Sequence, residues 1–189
     1  MIGVQLRRFT SKEYIAMAAH GILHRDRDAR VELLNGQVVD HMRAGPMHEG
    51  VRSWLTEKFV LIDVDRWTTF ARSPIDLDEY SLPEPDVSIV RRREDFYCKA
   101  YPTAADVLLL IEVADLSLLY DREEKLPAYA RVGIPEVWIV NLVRRVIEIF
   151  VDPAQGKYAG SEQVEFGGTV RSRALADVEI DTAEFFDRV

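Results

Sequence analysis

The sequence predicts an α/β fold, and three observations carry that expectation. Helix-period and strand-period segments alternate along all 189 residues, with no linker, repeat or low-complexity block between them. The run Val107-Leu108-Leu109-Leu110-Ile111-Glu112-Val113 is too continuously apolar for a half-exposed strand and marks a central one. Asn35-Gly36, set between two strand-like runs, is a strong hairpin signal. A single domain spanning residues 1–189 is expected, because a chain of this length buries roughly 70% of its unfolded surface without disulfide staples.

The elements follow in order. Thr10-Ser11-Lys12-Glu13 has capping-box spacing, flanked by Phe9 and Tyr14 as a hydrophobic staple, and opens a short helix that Gly21 stops. Val31 to Asp40 reads as the hairpin about Asn35-Gly36. Val51, Trp54, Leu55, Phe59 and Ile62 recur at helical spacing and predict a helix over Met47 to Ile62. Trp67 to Leu77 reads as a strand that Pro74 confines to an edge or breaks. A short strand runs from Asp86 to Val90, a polar and aromatic loop from Arg91 to Ala105, and the central strand from Val107 to Val113. Asp121 to Val132 predicts a helix closed by Gly133. Pro127, tolerated only in a first turn or at a kink, moves the expected start towards Glu123. Val137–Val140 and Val146–Phe150 flank a turn, and β-hairpins with turns at Gly156 and Gly167-Gly168 fill the tail. Asp181, three residues before Glu184, caps a last short helix.

Composition narrows the function. Hydrophobic residues make up 48% and charged residues 30%, as in an ordinary soluble globule. Cys98 is the one cysteine, which excludes an internal disulfide and a cysteine-rich zinc cluster. Met1 to Arg8 lacks the apolar stretch of a signal peptide, and no run approaches the roughly 18 apolar residues of a membrane span. A cytoplasmic chain with no membrane partner is expected. Net charge is −8, from 24 Lys+Arg against 32 Asp+Glu, which argues against a broad sequence-independent grip on phosphates. It leaves room for a nuclease, whose catalytic carboxylates and metal ions distort the whole-chain count.

Two acidic residues start or occupy apolar strands, Asp86 and Glu112, and Lys125 follows on a helix. A carboxylate inside so apolar a run is costly to bury unless it is paired or bound to metal. Phosphodiester hydrolysis calls for a metal ion that polarises phosphoryl oxygen and lowers the pKa of the attacking water. Mg²⁺ takes oxygen ligands, usually one or two carboxylates with water and substrate. Asp86 and Glu112 supply them if their strands are neighbours, and Lys125 can steady the water and the developing charge.

The ordered strings Pro83-Glu84-Pro85-Asp86-Val87, Asp106 to Val113, and Asp121 to Trp138 (DREEKLPAYARVGIPEVW) resemble the Uma-two family of endonucleases, as do Val31 to Val38 and His48. Together they span roughly residues 10 to 150. The resemblance implies the restriction-endonuclease-like fold of the PD-(D/E)XK superfamily, a mixed sheet with flanking helices. It implies a metal-dependent endonuclease acting on DNA with Mg²⁺ or Mn²⁺. Asp86 and Glu112 would be the metal ligands, Glu32 the supporting upstream acid, and Lys125 the catalytic lysine. That lysine departs from the superfamily pattern, which places it two residues after the glutamate, where this chain has Ala114. Double-strand cleavage needs two sites, so a homodimer is also expected.

Other readings compete. Asp121, Lys125 and Tyr129 share one face of a continuous helix, so Asp121 holds the Lys125 ammonium with the Tyr129 hydroxyl nearby; alternatively Asp121 caps a delayed helix. His48 at a helix start contacts a phosphate at the site rim or serves structure. A Glu112–Lys125 salt bridge without metal would make the chain a catalytically silent module that binds nucleic acid or protein on the same fold. His20 and His24 have i, i+4 spacing but lack further ligands and read as surface residues.

Overall fold

The computed structural model describes residues 6–23, 30–63 and 65–187; His24 lies outside them. Helix α1 (Ser11–Ala19) opens on the expected capping box: Thr10 Oγ1 accepts the Glu13 N–H at 3.2 Å and the Glu13 carboxylate accepts the Thr10 N–H at 3.0 Å. Strands β1 (Arg30–Leu34) and β2 (Gln37–His41) pair antiparallel about Asn35 and Gly36, whose φ of +53° and +79° make the primed turn that right-handed strand twist favours. Helix α2 (Pro46–Ile62) follows, with Pro46 in its first turn, where the missing N–H costs nothing.

Strand β3 (Trp67–Ala71) stops six residues short of the Leu77 that the sequence suggested. Arg72 leaves the extended region, at φ +49°, and Pro74 has no N–H for a ladder. Strands β4 (Val87–Arg91), β5 (Val107–Ala114), β6 (Glu136–Asn141), β7 (Val146–Ala154) and β8 (Lys157–Glu165) complete a six-stranded sheet of order β3-β4-β5-β6-β7-β8. Only the β5–β6 pair in it is parallel. The tail adds the antiparallel pair β9 (Thr169–Arg171) and β10 (Glu179–Asp181). The last helix, α5 (Ala183–Phe186), is started by Asp181, whose Oδ1 accepts the Ala183 N–H at 2.9 Å. A mixed α/β sheet flanked by helices is what the sequence predicted.

Parallel neighbours need a crossover, and here it is helical. Segments α3 (Leu118–Tyr120) and α4 (Leu126–Arg131) are joined without a break by a π turn over Asp121–Lys125, in which the Leu126 N–H reaches back five residues to the Asp121 carbonyl. The helix therefore begins at Leu118 rather than at Asp121 or Glu123. Pro127 cannot donate to residue 123 and its ring crowds that carbonyl; the wider turn just before it accommodates the proline inside a longer helix.

Alternate residues of β5 face opposite cores. Leu109, Ile111 and Val113 join Val51, Leu55 and Phe59 of α2 on one face, with the β9–β10 tail packed alongside. Leu110 joins Ala128 and Tyr129 of α4 on the other. Glu112 shares that second face by period, so its carboxylate is directed beneath the crossover helix. Among the described residues no helix is long and apolar enough to cross a membrane.

The hairpin turn is also a docking point, since the Gly36 carbonyl accepts the Phe9 N–H at 2.9 Å and the Gly36 N–H donates to the Tyr80 carbonyl at 2.7 Å. A Cβ at Gly36 would lie 2.6 Å from Arg8 Cβ. Gly36→Ala is expected to cost about 1–2 kcal/mol from the left-handed backbone alone, with the clash adding to it. Urea unfolding measures the loss, and an unchanged midpoint would show that this turn carries no such constraint.

Candidate active site

The β4–β5 register pairs Val87 with Ile111, which sets Asp86 and Glu112 at the next cross-strand position. Asp86 is 2% exposed. Its Oδ2 accepts the Val113 N–H at 3.0 Å and stands 3.3 Å from His48 Nε2, delivered by the first turn of α2. Its Oδ1 is buried and accepts no hydrogen bond, with Arg30 Nη2 at 3.4 Å and Arg72 Nε at 3.6 Å. Burial raises the Asp86 pKa, but the His48 hydrogen bond, the Arg30 and His48 charges and the Val113 N–H outweigh it and hold the carboxyl well below its usual range.

Glu112 has different company. Lys125 Nζ donates to its Oε1 at 3.1 Å and the Tyr129 hydroxyl donates to the same oxygen at 2.6 Å, so Oε2 is left without a hydrogen bond among the described residues. Burial pushes Glu112 up to about 7; Lys125 opposes this, while Asp121, Asp86 and Glu32 add to it. Lys125, 1% exposed, is held as an ammonium despite burial by Glu112, Glu32 and Asp121.

Glu32 is fully buried. Its Oε2 lies 3.2 Å from Lys125 Nζ and accepts the Glu84 N–H at 2.9 Å; its Oε1 accepts the Tyr120 hydroxyl at 3.0 Å and lies 2.9 Å from His41 Nε2. Burial raises its pKa, but Lys125, His41 and the Glu84 N–H prevail and bring it down to about 2. Asp121 is buried on the same helix but does not grip Lys125: its Oδ2 accepts the Ser117 hydroxyl at 2.7 Å. Burial first, then Asp86 and Glu32, push it up to about 6 against Lys125 and Ser117. Arg122, next in the π turn, donates through Nε to Glu148 of β7 at 3.0 Å, and Asn141 of β6 holds the other oxygen at 2.9 Å. This half-buried clamp fixes the turn against the sheet.

All seven residues singled out from the sequence thus converge: Asp86 with His48, Glu112 with Lys125 and Tyr129, Glu32 on the same ammonium, and Asp121 behind it. Sequence reasoning missed Arg30, His41, Arg72 and Tyr120. Two of these were recoverable. A two-residue turn at Asn35-Gly36 pairs Arg30 with His41, and both lie two positions along the strand face from the Glu32–Val39 pair. Above the cluster is a cavity of about 280 Å³, with Arg30, His41, His48 and Tyr120 in its wall.

Among the described residues no group of three or more His, Cys, Asp or Glu side chains is placed to hold a metal ion by itself. The donor set is two cross-strand carboxylates, each with an oxygen that accepts no hydrogen bond among the described residues, which suits a hard cation that keeps water and substrate among its ligands.

A six-stranded mixed sheet with a helical crossover between its one parallel pair defines a mixed α/β class of fold. The backbone is similar to that of a crystal structure described as "a putative nuclease belonging to DUF820" from Anabaena variabilis ATCC 29413, with a TM-score of 0.71 at 12% identity, over 95% of this chain and 98% of that one. Residues 12–183 match the Uma2 family, described as "Putative restriction endonuclease", and the chain belongs to that family. No curated protein gives a significant match.

Removing one partner of a buried pair costs about 3–5 kcal/mol. Lys125→Met should lose that much unfolding free energy, and Glu112→Gln should destabilise Lys125→Met less than it does the wild type. A double-mutant cycle by denaturant unfolding with zero coupling would contradict the geometry. Glu32 titrates below its ordinary value, so its stabilisation is present above pH 4.5 and is lost as pH falls towards about 2. The stability gap between wild type and Glu32→Gln should accordingly be widest near neutral pH and narrow on acidification, which thermal unfolding at several pH values checks.

Proposed function

We propose that this chain is a metal-dependent endonuclease that hydrolyses DNA phosphodiester bonds, with Asp86 and Glu112 holding Mg²⁺ or Mn²⁺. The observation that supports this most is the pair of buried carboxylates facing each other on neighbouring strands, Asp86 with a buried Oδ1 that has no hydrogen bond among the described residues and Glu112 with both of its hydrogen bonds among them on Oε1. When bound, the metal supplies a Lewis acid for the phosphoryl oxygen and an acidified water. Glu112 is buried, which is the main reason its pKa is raised, and Asp121, Asp86 and Glu32 add negative charge around it that a divalent cation would neutralise.

The protein's own groups do the rest. Val113 N–H and His48 orient Asp86. Tyr129 and Lys125 fix the Glu112 rotamer through Oε1. The Lys125 ammonium carries its charge at all working pH values and would hold the attacking water and steady the negative charge that grows on the phosphate. Glu32 acts through Lys125, keeping the ammonium at the end of its reach. Arg30 and Arg72, already near Asp86, would offer guanidinium N–H groups to a phosphate bound beside it.

One observation favours a second reading: Lys125 already has carboxylates on two sides, as a purely structural ammonium would. Under it the chain is a binding module on a nuclease fold. Melting temperature of Lys125→Met does not separate the two readings, since both lose the buried pair. Metal does. Purified protein with Mn²⁺ or Mg²⁺ should cleave DNA, EDTA should stop it, and Asp86→Asn and Glu112→Gln should each abolish both cleavage and the Mn²⁺ titration heat. Wild-type heats that persist unchanged in both carboxylate variants would sink the assignment, and a wild type with no Mn²⁺ heat at all would leave the binding module standing.

A further inference from the structure

The cavity above the acids offers more than a grip on a phosphate backbone. Its two arginines, Arg30 and Arg43, are matched in the same wall by Asp40 and Asp115, so it gains little net positive charge. What it offers in addition is π and apolar surface. Tyr120 and His41 meet edge to face with ring centroids 5.4 Å apart. The loop after β2 and the loop after β5 contribute Met42 and Leu116, which are 74% and 79% exposed. What sets these two apart from the other exposed apolar side chains is that both line one cavity, on loops either side of it.

The acids lie deep, Asp86 and Glu112 each at 2% exposure and Glu32 at none. The cavity wall carries contacts of two of them, Arg30 and His48 beside Asp86 and His41 and Tyr120 beside Glu32. On the nuclease reading a scissile phosphate would therefore approach through this cavity and bring a neighbouring base with it. A base-paired strand keeps that base in the stack, and drawing it out costs unpairing and unstacking; an unpaired strand has nothing to lose. Stacking on side-chain rings is also how proteins hold single strands without reading sequence, and it lessens the need for a basic surface that a chain of net charge −8 lacks.

We infer that the cavity between the β2–α2 and β5–α3 loops seats one unpaired nucleotide, with Met42 and Leu116 clasping its base, so that the substrate is single-stranded or locally unpaired DNA. This names the substrate class and rests on the nuclease reading above. Met42 and Leu116 are specificity residues here; the acids and Lys125 remain the reactive set. An unpaired strand needs only one such site, so this substrate places no demand for a second copy.

The test separates binding from cleavage. Fluorescence anisotropy in Ca²⁺ would compare a labelled 12-nucleotide single strand with the same strand in blunt duplex, for wild type and for Met42→Ser with Leu116→Ser. Both side chains are exposed, and an unchanged thermal midpoint verifies that the double variant folds. The expected result is at least tenfold tighter binding of the single strand, an advantage that the double variant loses. Equal or tighter duplex binding, or a double variant that keeps the preference, would overturn the inference. A companion digest in Mn²⁺ of single-stranded, duplex and bubble DNA reports on the reading beneath it. Binding preference without any cleavage would sustain the pocket and sink the nuclease, whereas faster cleavage of intact duplex would sustain the nuclease and sink the pocket.

Discussion

The ammonium of Lys125 joins three parts of the chain at one point: Glu32 from the hairpin, Glu112 from the central strand and, around it, the crossover helix that carries it. Each carboxylate would be expensive to bury alone, and the lysine would be too; together they are tolerable, and only in one arrangement of hairpin, sheet and helix. This is why β1 can be buried on both faces. Val31 and Leu33 pack with Tyr14 and Leu82 on one side, and Glu32 turns its carboxylate to the lysine on the other. A pair of this kind adds little net stability compared with apolar residues of the same shape, but it penalises any packing that separates its members.

The same arrangement divides the two cross-strand acids electrically. Asp86 faces guanidinium groups and His48 and stays ionised, whereas Glu112 shares its single ammonium with Glu32 and is left under-compensated. One sheet register thus holds two carboxylates of different character side by side, and the difference comes from which elements reach them rather than from the strands themselves. Helix α2 supplies His48 from one face of the sheet and the crossover helix supplies Lys125 and Tyr129 from the other.

Much of this was legible in the sequence because the strongest signals were local or tied to a motif. The capping box at Thr10, the Asn35-Gly36 turn and the apolar run at Val107 each act over a few residues, and each forms as expected. The ordered acid, acid and lysine pattern pointed to Asp86, Glu112 and Lys125, the family resemblance to Glu32 and His48, and helix-face spacing to Asp121 and Tyr129, and the fold brings the seven together. What failed was non-local or contradictory. The Asp121–Lys125 grip expected from their shared helix face is replaced by a Ser117–Asp121 hydrogen bond, because the π turn changes the spacing of that face. The helix start was misplaced because Pro127 ordinarily ends or begins a helix, and a π turn ahead of it is not written in any short pattern. Arg72 and Tyr120 come from an irregular segment and from the first turn of that unpredicted helical stretch, where spacing carries no information about direction.

The π turn also sets how freely this chain can change length. Lys125 must meet Glu112 thirteen residues earlier in the chain, Arg122 must meet Glu148, and the turn that satisfies both already holds one residue more than a regular helix would. A deletion between Leu118 and Leu126 would close the wide turn that accommodates Pro127 and turn Lys125 off its line to Glu112, and an insertion has no second bulge to occupy. The connection between β5 and Pro127, although half of it lies at the surface, should behave under sequence drift as a ruler of set length, tolerant of substitution at Glu123 and Glu124 and intolerant of a single gained or lost residue.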